Sequence, residues 1–141
     1  MRMAIPAYQR MMETIASRRP ESGGLLLGPI GSSEITDFFF DAGGTCTNAT
    51  YTPDHVTLQR LMREVWIPNG LDMKGFAHSH PAGFDRLSAG DIDYVGRLLR
   101  KNADMEVFSA PIILPQAFRI VPYVVLRAAP RTPVRARLTL F

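Results

Sequence analysis

A short apolar run near the N-terminus does most to restrict how this chain can fold. Residues 23–30 read Gly-Gly-Leu-Leu-Leu-Gly-Pro-Ile, with no charged side chain and with glycine and proline near the boundaries. A run of this length and composition predicts a buried strand. Such a strand lies inside a sheet, so the remaining segments must supply its neighbours and the layers that cover it.

The rest of the chain alternates helix-like and strand-like segments. Helical spacing of apolar residues predicts helices over residues 5–18, 54–67 and 88–102. Apolar segments predict further strands over residues 34–42, 73–80, 106–114, 118–127 and 133–140, with a loop over 43–53. The last segment alternates apolar and polar residues, which predicts a half-buried strand. This order predicts an α/β (α+β) fold, a single layered domain over residues 1–141 in which about three helices flank a central mixed sheet.

Composition narrows the class of protein. The chain has 141 residues, of which 46% are hydrophobic, enough for the core of one domain. Its single cysteine, Cys46, excludes an internal disulfide and a cysteine-rich zinc site, so we expect a reducing compartment and interpret the thiol as a small, partly buried side chain. We find no apolar run long enough to span a bilayer and no signal-peptide core, which predicts a cytoplasmic protein without a membrane partner. The net charge of +3 does not predict a nucleic-acid partner.

The segment His78-Ser79-His80-Pro81 carries the clearest chemical pattern. Residues two apart on a strand point to the same side of the sheet, so both imidazoles face one point, and Pro81 ends the strand directly after them. Asp91 lies in the first turn of the next predicted helix, which a compact loop can fold back onto the strand end. Two histidines and one carboxylate leave a fourth position on tetrahedral zinc open for water, as catalytic zinc sites require.

Each part of this pattern also has a purely structural interpretation. A His-X-His pair alone is weak evidence, because histidines are common in protein cores. Ser88-X-X-Asp91 is a capping-box-like pattern, so Asp91 could serve only to cap the helix, although the two roles can coexist. A hydrolytic site also needs a base, for which Glu21, just before the apolar run, is the candidate. Taken by itself, Glu21 is better interpreted as an exposed acidic residue at a strand start.

Taken together, these residues resemble the motif of the JAMM/MPN metallopeptidase family, particularly its short prokaryotic members. That motif places a Glu ahead of a Gly-Gly-containing apolar strand, then His-Ser-His-Pro, with seven residues between the second His and a Ser-X-X-Asp element. Residues 81–87 supply the spacing here, and the match runs from Glu21 to Asp91. The resemblance implies a cytidine-deaminase-like JAMM/MPN fold and Zn²⁺ held by His78, His80 and Asp91. It also implies that Glu21 acts as the general base and that Ser88 helps hold the oxyanion.

The resemblance also implies a function. The family typically cuts peptide or isopeptide bonds after the C-terminal glycines of ubiquitin or ubiquitin-like proteins, and prokaryotic members are associated with ubiquitin-like sulfur carriers and activating or conjugating enzymes. We therefore expect a zinc peptidase or isopeptidase acting on such a tail. Ala77 replaces the aromatic residue that many members carry before the first His, and the chain lacks the long insertions of eukaryotic members. Details of the substrate groove and linkage specificity therefore do not carry over.

Two other functions stay open at this point. One is a non-catalytic module that binds a ubiquitin-like protein, although such members have usually lost metal ligands and this chain keeps them. The other is a DNA-repair-associated role like that of the RadC proteins, which share the zinc motif and which His80-Pro81-Ala82-Gly83 slightly resembles. A zinc nucleobase deaminase is not expected, because the Pro-Cys-X-X-Cys element is absent.

Overall fold

The computed structural model describes residues 1–18, 21–46 and 51–141. The helices are α1 (Ile5–Ile15), α2 (His55–Leu61) and α3 (Ala89–Lys101), and α2 continues into a π-helical segment, Met62–Trp66, and a 3₁₀ turn, Ile67–Asn69. The strands are β1 (Arg2–Met3), β2 (Gly23–Pro29), β3 (Asp37–Phe40), β4 (Thr45–Cys46), β5 (Tyr51–Thr52), β6 (Leu71–Ser79), β7 (Val107–Ser109), β8 (Ile112–Leu114), β9 (Arg119–Val121), β10 (Tyr123–Leu126), β11 (Val134–Arg135) and β12 (Thr139–Leu140). None of the helices among the described residues is both long and apolar enough to cross a membrane.

Within the described residues, eight strands form one mixed sheet with β6 at its centre. β6 runs antiparallel to β2 along one edge and parallel to β7 and then β8 along the other. β3 extends the sheet beyond β2, and β9, β10 and β11 extend it on the opposite side through antiparallel pairs. The predicted fold class, with a central mixed sheet flanked by three helices, is confirmed.

Side chains of the central strands alternate between the two faces of this sheet. Leu26 and Ala77 point to the face that α1 covers, where Met11 packs against them in one apolar cluster. Leu25 and Phe76, one position earlier on the same strands, point to the face that α2 and α3 cover. β2 is therefore buried on both sides, as its apolar run predicts.

The helices α1 and α3 present apolar residues to the core, as their helical spacing predicts. α1 ends at Ile15 rather than at residue 18, and Pro6 lies in its first turn. α2 departs more from its predicted stripe, because Val56 is 80% exposed while Trp66 is buried. The change to π-helical geometry after Leu61 alters the spacing of the side chains, so a regular helical repeat does not hold along the whole segment.

The C-terminal third departs most from the predictions. The predicted strand 106–114 is two strands, β7 and β8. Both pair with β6, but across Ala110-Pro111 the partner on the outer edge changes from β10 to β9. The predicted strand 118–127 is likewise divided at Pro122, which has no backbone N–H to donate. The predicted half-buried strand 133–140 is wrong: β11 and β12 belong to different sheets, and Val134 and Leu140 are exposed.

The predicted loop 43–53 also holds structure. β4 and β5 pair as a two-stranded ribbon, and residues 47–50 of the predicted loop lie outside the described residues. Cys46 lies on this ribbon and is exposed, which corrects the expectation of a partly buried thiol. The ribbon pairs with no strand of the main sheet, although Tyr51 of β5 packs against the apolar cluster of that sheet.

Candidate metal centre

The two histidines lie where β6 ends. Both are buried, with 7% of His78 and 4% of His80 exposed, and both lie at alternate positions after Phe76, on the α3 side of the sheet. The backbone is held from both edges here, because Gly23 of β2 pairs with His78 and the N–H of His80 donates to the carbonyl of Ile113 at 3.0 Å. Because the strand is hydrogen-bonded on both sides, it holds the two imidazoles in fixed positions.

Asp91 reaches the same point from the first turn of α3. The backbone N–H of Ser88 donates to Asp91 Oδ2 at 2.7 Å, and the N–H of Asp91 donates to Ser88 Oγ at 3.1 Å. This is a complete capping box, which explains why α3 begins here. The same carboxylate lies beside both histidines, with Oδ1 3.3 Å from His78 Nε2 and Oδ2 3.2 Å from His80 Nε2. The capping role therefore does not exclude a ligand role.

The spacing of these atoms suits a tetrahedral metal ion. Zinc bonds of about 2.0–2.1 Å place neighbouring ligand atoms about 3.3 Å apart in a tetrahedron. The two Nε2 atoms lie 2.8 Å apart, and each lies 3.2–3.3 Å from a carboxylate oxygen of Asp91. His78, His80 and Asp91 could thus hold one metal ion between them.

A hydrogen bond outside the cluster sets the tautomer of one histidine. His80 Nδ1 lies 3.1 Å from the backbone oxygen of Phe84. Because a carbonyl oxygen can only accept, Nδ1 carries the proton and the lone pair of neutral His80 lies on Nε2, which faces the cluster. Metal-binding histidines usually have such an outer partner.

The cluster keeps Asp91 ionised. Burial raises the pKa of Asp91, but hydrogen bonds from His78, from charged His80, in which Nε2 also carries a proton, and from the Ser88 backbone outweigh burial and hold the pKa well below its usual range. Burial lowers the pKa of His80, but the hydrogen bond and charge of Asp91 outweigh it, so the net shift is upward. A negative carboxylate between two imidazoles attracts positive charge to the point where they meet.

Glu21 lies next to the cluster and is buried, not exposed. The N–H of Ser79 donates to the carbonyl of Ser22 at 2.8 Å, so the pairing of β2 with β6 continues past Gly23 and brings Glu21 opposite His80. Directly opposite residues face the same side of a sheet. Only 4% of Glu21 is exposed, which corrects the interpretation of an exposed acidic residue. Burial raises the pKa of Glu21 by more than the nearby His80 and His78 lower it.

The loop between the histidines and α3 is fixed by residues far along the chain. The hydroxyl of Tyr123 donates to the backbone oxygen of Asp85 at 3.1 Å, and an Arg119 guanidinium nitrogen lies 3.6 Å from the Asp85 carboxylate. Asp85 follows Phe84, whose carbonyl orients His80. The role of Tyr123 is not predictable from the sequence, because a residue 38 positions from its partner carries no local signal.

The cluster opens into a cleft of about 560 Å³. Glu21, His78, His80, Ser88 and Asp91 all line it, so the structure brings together every residue that the motif singled out. Ser88 Oγ accepts the N–H of Asp91, and its own proton stays available to a group in the cleft. The arrangement offers a cation site, an adjacent buried carboxylate and a hydroxyl around one open space.

Many solved structures have similar folds, and three of them, each from a prokaryote, illustrate the likeness. A protein from Desulfitobacterium hafniense is 22% identical, with a TM-score of 0.57, and the match covers 99% of this chain and 92% of that one. A protein from Salinibacter ruber is 18% identical, with a TM-score of 0.63 and coverage of 100% and 92%. A JAB1/MPN domain protein from Archaeoglobus fulgidus is 15% identical, with a TM-score of 0.55 and coverage of 98% of both chains. The chain has a JAB1/MPN-like fold.

At these identities the likeness concerns the fold alone. No protein-family model matches the sequence, and no curated protein sequence matches it either. The JAB1/MPN-like fold agrees with the architecture that the motif implied.

Proposed function

We propose that this protein is a zinc-dependent peptidase or isopeptidase that cleaves after the C-terminal glycines of a ubiquitin-like protein, which includes ubiquitin-like sulfur carriers. The observation that carries the proposal is the meeting of His78, His80 and Asp91 at one point of an open cleft, with the buried carboxylate of Glu21 beside them. Two imidazoles and one carboxylate are the donor set of several catalytic zinc sites, and the fourth position stays free.

Zinc, when bound, lowers the pKa of a coordinated water to about 7 and polarises the substrate carbonyl. Glu21 does not belong to the ligand cluster, so its carboxylate is free to accept the proton of the attacking water and pass it to the leaving amine. The Ser88 hydroxyl can donate to the oxygen that becomes negative during attack. Each of these steps uses a side chain that lines the cleft.

The substrate part of the proposal rests on the family motif and on the shape of the site. A tail that ends in two glycines has no side chains near the reacting carbonyl, so it can lie against a buried strand end. An activating or conjugating enzyme for the same ubiquitin-like protein is the expected partner. The described residues offer no membrane-spanning helix, and the mild net charge gives no reason to add nucleic acid to these partners.

A cleavage assay tests the proposal. The substrate is a ubiquitin-like protein whose Gly-Gly terminus is extended by a short peptide, and mass spectrometry measures release of that peptide. We expect release with zinc-loaded protein, none after treatment with a chelator, and recovery when zinc is returned. Tight binding of the tail without cleavage by zinc-loaded protein would instead support the binding-module alternative.

A further inference from the structure

Charge is divided unevenly along this chain. Residues 1–85 carry seven basic and nine acidic side chains, whereas residues 86–141 carry nine basic and four acidic ones. The fold separates the two parts in space, because β7, β10 and β11 lie on one side of β6 while β2 and β3 lie on the other. α3 belongs to the basic part and forms one wall of the cleft. This side of the molecule therefore favours an acidic partner.

One arginine carries this positive charge into the cleft. Arg97 of α3 is the only lysine or arginine among the described residues that line the cleft, and its side chain is exposed there. The guanidinium lies 5.6 Å from the ring centroid of Tyr94, three residues earlier on the same helix, and that ring also lines the cleft. A cation at this distance from an aromatic face is attracted to it, so the contact orients the guanidinium at the cleft wall.

The guanidinium of Arg97 makes no salt bridge with any carboxylate of the described residues. Asp93, four residues earlier on α3, has the spacing at which an acid and an arginine pair on a helix. Asp93 Oδ1 instead lies 2.9 Å from Arg131 Nη1, so this carboxylate is already engaged. Asp91 lies in the cleft but faces the two histidines. The planar N–H donors of Arg97 therefore suit a carboxylate that the substrate brings.

The position of Arg97 on α3 determines which part of a substrate it reaches. It lies six residues after Asp91 on the same helix. A rise of about 1.5 Å per residue therefore separates the two by about 9 Å along the helix axis. An extended peptide advances about 3.3 Å per residue, so Arg97 lies roughly three residues from the bond that is cleaved. On the acyl side, that distance corresponds to the residues directly before Gly-Gly.

We propose that Arg97 selects a ubiquitin-like protein with an acidic side chain at one of the two positions directly before its Gly-Gly end. The acyl side is the same in every conjugate of one ubiquitin-like protein, whereas the leaving side changes with the target. A fixed cation therefore serves recognition on the acyl side, where the substrate carboxylate accepts from the guanidinium. This inference rests on the proposed function for the kind of substrate, but the binding of the acidic tail does not depend on catalysis.

The direct test is the binding of product-like peptides to zinc-loaded protein. The acetylated peptides Glu-Glu-Gly-Gly, Gln-Gln-Gly-Gly and Lys-Lys-Gly-Gly have no bond after their last glycine, so isothermal titration measures binding alone. We expect the glutamate peptide to bind about twofold to fivefold more tightly than the glutamine peptide, the usual effect of an exposed ion pair. The lysine peptide should bind most weakly.

Two variants assign this preference to its residue. Arg97→Gln should remove most of the preference for the glutamate peptide. Arg100→Gln is the matched control and should keep it, because it removes an equal charge from an exposed position of the same helix outside the cleft lining. An equal loss in both variants would reduce the effect to net charge and overturn the role of Arg97. The absence of any difference between the glutamate and glutamine peptides in the wild type would overturn it too.

A cleavage assay separates this inference from the proposed function. The substrates are two extended ubiquitin-like proteins that differ only in glutamate or glutamine before Gly-Gly, and we expect kcat/KM to favour glutamate in the wild type and in Arg100→Gln but not in Arg97→Gln. Selective binding of the glutamate peptide without cleavage of either substrate would keep the role of Arg97 and overturn the peptidase. Equal kcat/KM for both substrates would overturn the role of Arg97 and leave the peptidase intact. A preference for glutamate only on the leaving side would overturn the acyl-side assignment.

Discussion

The two faces of the central sheet are built from the same strands but differ in what they can do. On the α1 face, Ala77 packs in a closed apolar cluster. The hydroxyl oxygen of Ser79 accepts a hydrogen bond from the backbone N–H of Ser22, with 2.9 Å between nitrogen and oxygen. On the α3 face, His78 and His80 extend past the apolar core into an open cleft. Adjacent residues of β6 therefore have different roles: one side chain packs inside the fold, and the next faces the cleft as a candidate metal ligand.

The difference arises from how each face is closed. α1 covers its face with buried side chains at Ala7, Met11 and Ile15, and this face holds no described metal-binding group. α3 covers the other face with Val95 and Leu99 but begins with a capping box, whose Asp91 turns towards the strand end. The first turn of a helix needs polar side chains for its free N–H groups, so it can supply a ligand where a helix middle supplies apolar residues.

The largest expected effect comes from comparing neighbours on β6. His80→Ala removes one of three candidate ligands, and we expect zinc affinity to fall by more than the roughly 10–100-fold that loss of an outer-shell partner typically costs. Ser79→Ala, the control on the other face, should keep zinc affinity but destabilise the fold by about 1–3 kcal/mol, because it leaves the buried N–H of Ser22 unpaired. Isothermal titration with zinc and chemical unfolding measure both quantities. Equal zinc binding by the two variants would remove the distinction between the faces.

The next effect concerns the base. Glu21→Gln should keep zinc and lower turnover by about 10²–10⁴-fold, because an amide cannot take the proton that a carboxylate accepts. Glu13→Gln, an exposed position of α1, is the charge-matched control and should be neutral. Zinc content by elemental analysis is measured beside kcat. Near-normal turnover would assign proton transfer to another group, and loss of zinc would make Glu21 a ligand.

The capping box gives an intermediate effect with two separable parts. Ser88→Ala removes both a cap and a hydroxyl, so we expect a loss of about 0.5–2 kcal/mol in unfolding free energy and of about 10²–10³-fold in turnover, with zinc retained. Asp91→Asn keeps an oxygen for capping but weakens the charged ligand, so its zinc affinity should fall more than its melting temperature. If Ser88→Ala melts earlier but turns over normally, Ser88 is a cap only. Full zinc binding by Asp91→Asn would leave Asp91 as a cap only.

The smallest effect tests the support of the loop. Tyr123→Phe removes the hydroxyl that holds the Asp85 carbonyl, so we expect a loss of about 0.5–1.5 kcal/mol in unfolding free energy. Zinc affinity should weaken by less than in His80→Ala, because Phe84 still accepts from His80. Denaturant unfolding and zinc titration check the two parts. No change in either would show that the loop is held without Tyr123.

The sequence predicts the structure of some parts of the molecule better than that of others, and the reasons are physical. His78, His80, Ser88 and Asp91 lie within one strand, loop and helix turn, so the period of a strand and the chemistry of a cap predict where they face. β7 to β12 depend on which strand pairs with which, and prolines that divide a segment redirect it to a new partner. Alternation near Val134 resembles a half-buried strand, yet the segment lies at a sheet edge with its valine exposed.

Glu21 shows a limit of another kind. Its burial comes from the pairing of Ser22 with Ser79, 57 residues away, which no local pattern around Glu21 predicts. The family motif placed it beside the metal, whereas the residues alone favoured an exposed position. The role of Tyr123 was not predicted at all, because its partner Asp85 is brought near only by the fold.

X-ray absorption at the zinc edge identifies the metal ligands directly. We expect one zinc site in the zinc-loaded protein with two imidazoles and only nitrogen or oxygen ligands at about 2.0–2.1 Å, and loss of one imidazole in His80→Ala. The Ser79→Ala spectrum should match that of the wild type. A sulfur shell at about 2.3 Å, which would bring Cys46 to the metal, or an unchanged imidazole count in His80→Ala, would contradict the assignment of His78, His80 and Asp91 as the metal site.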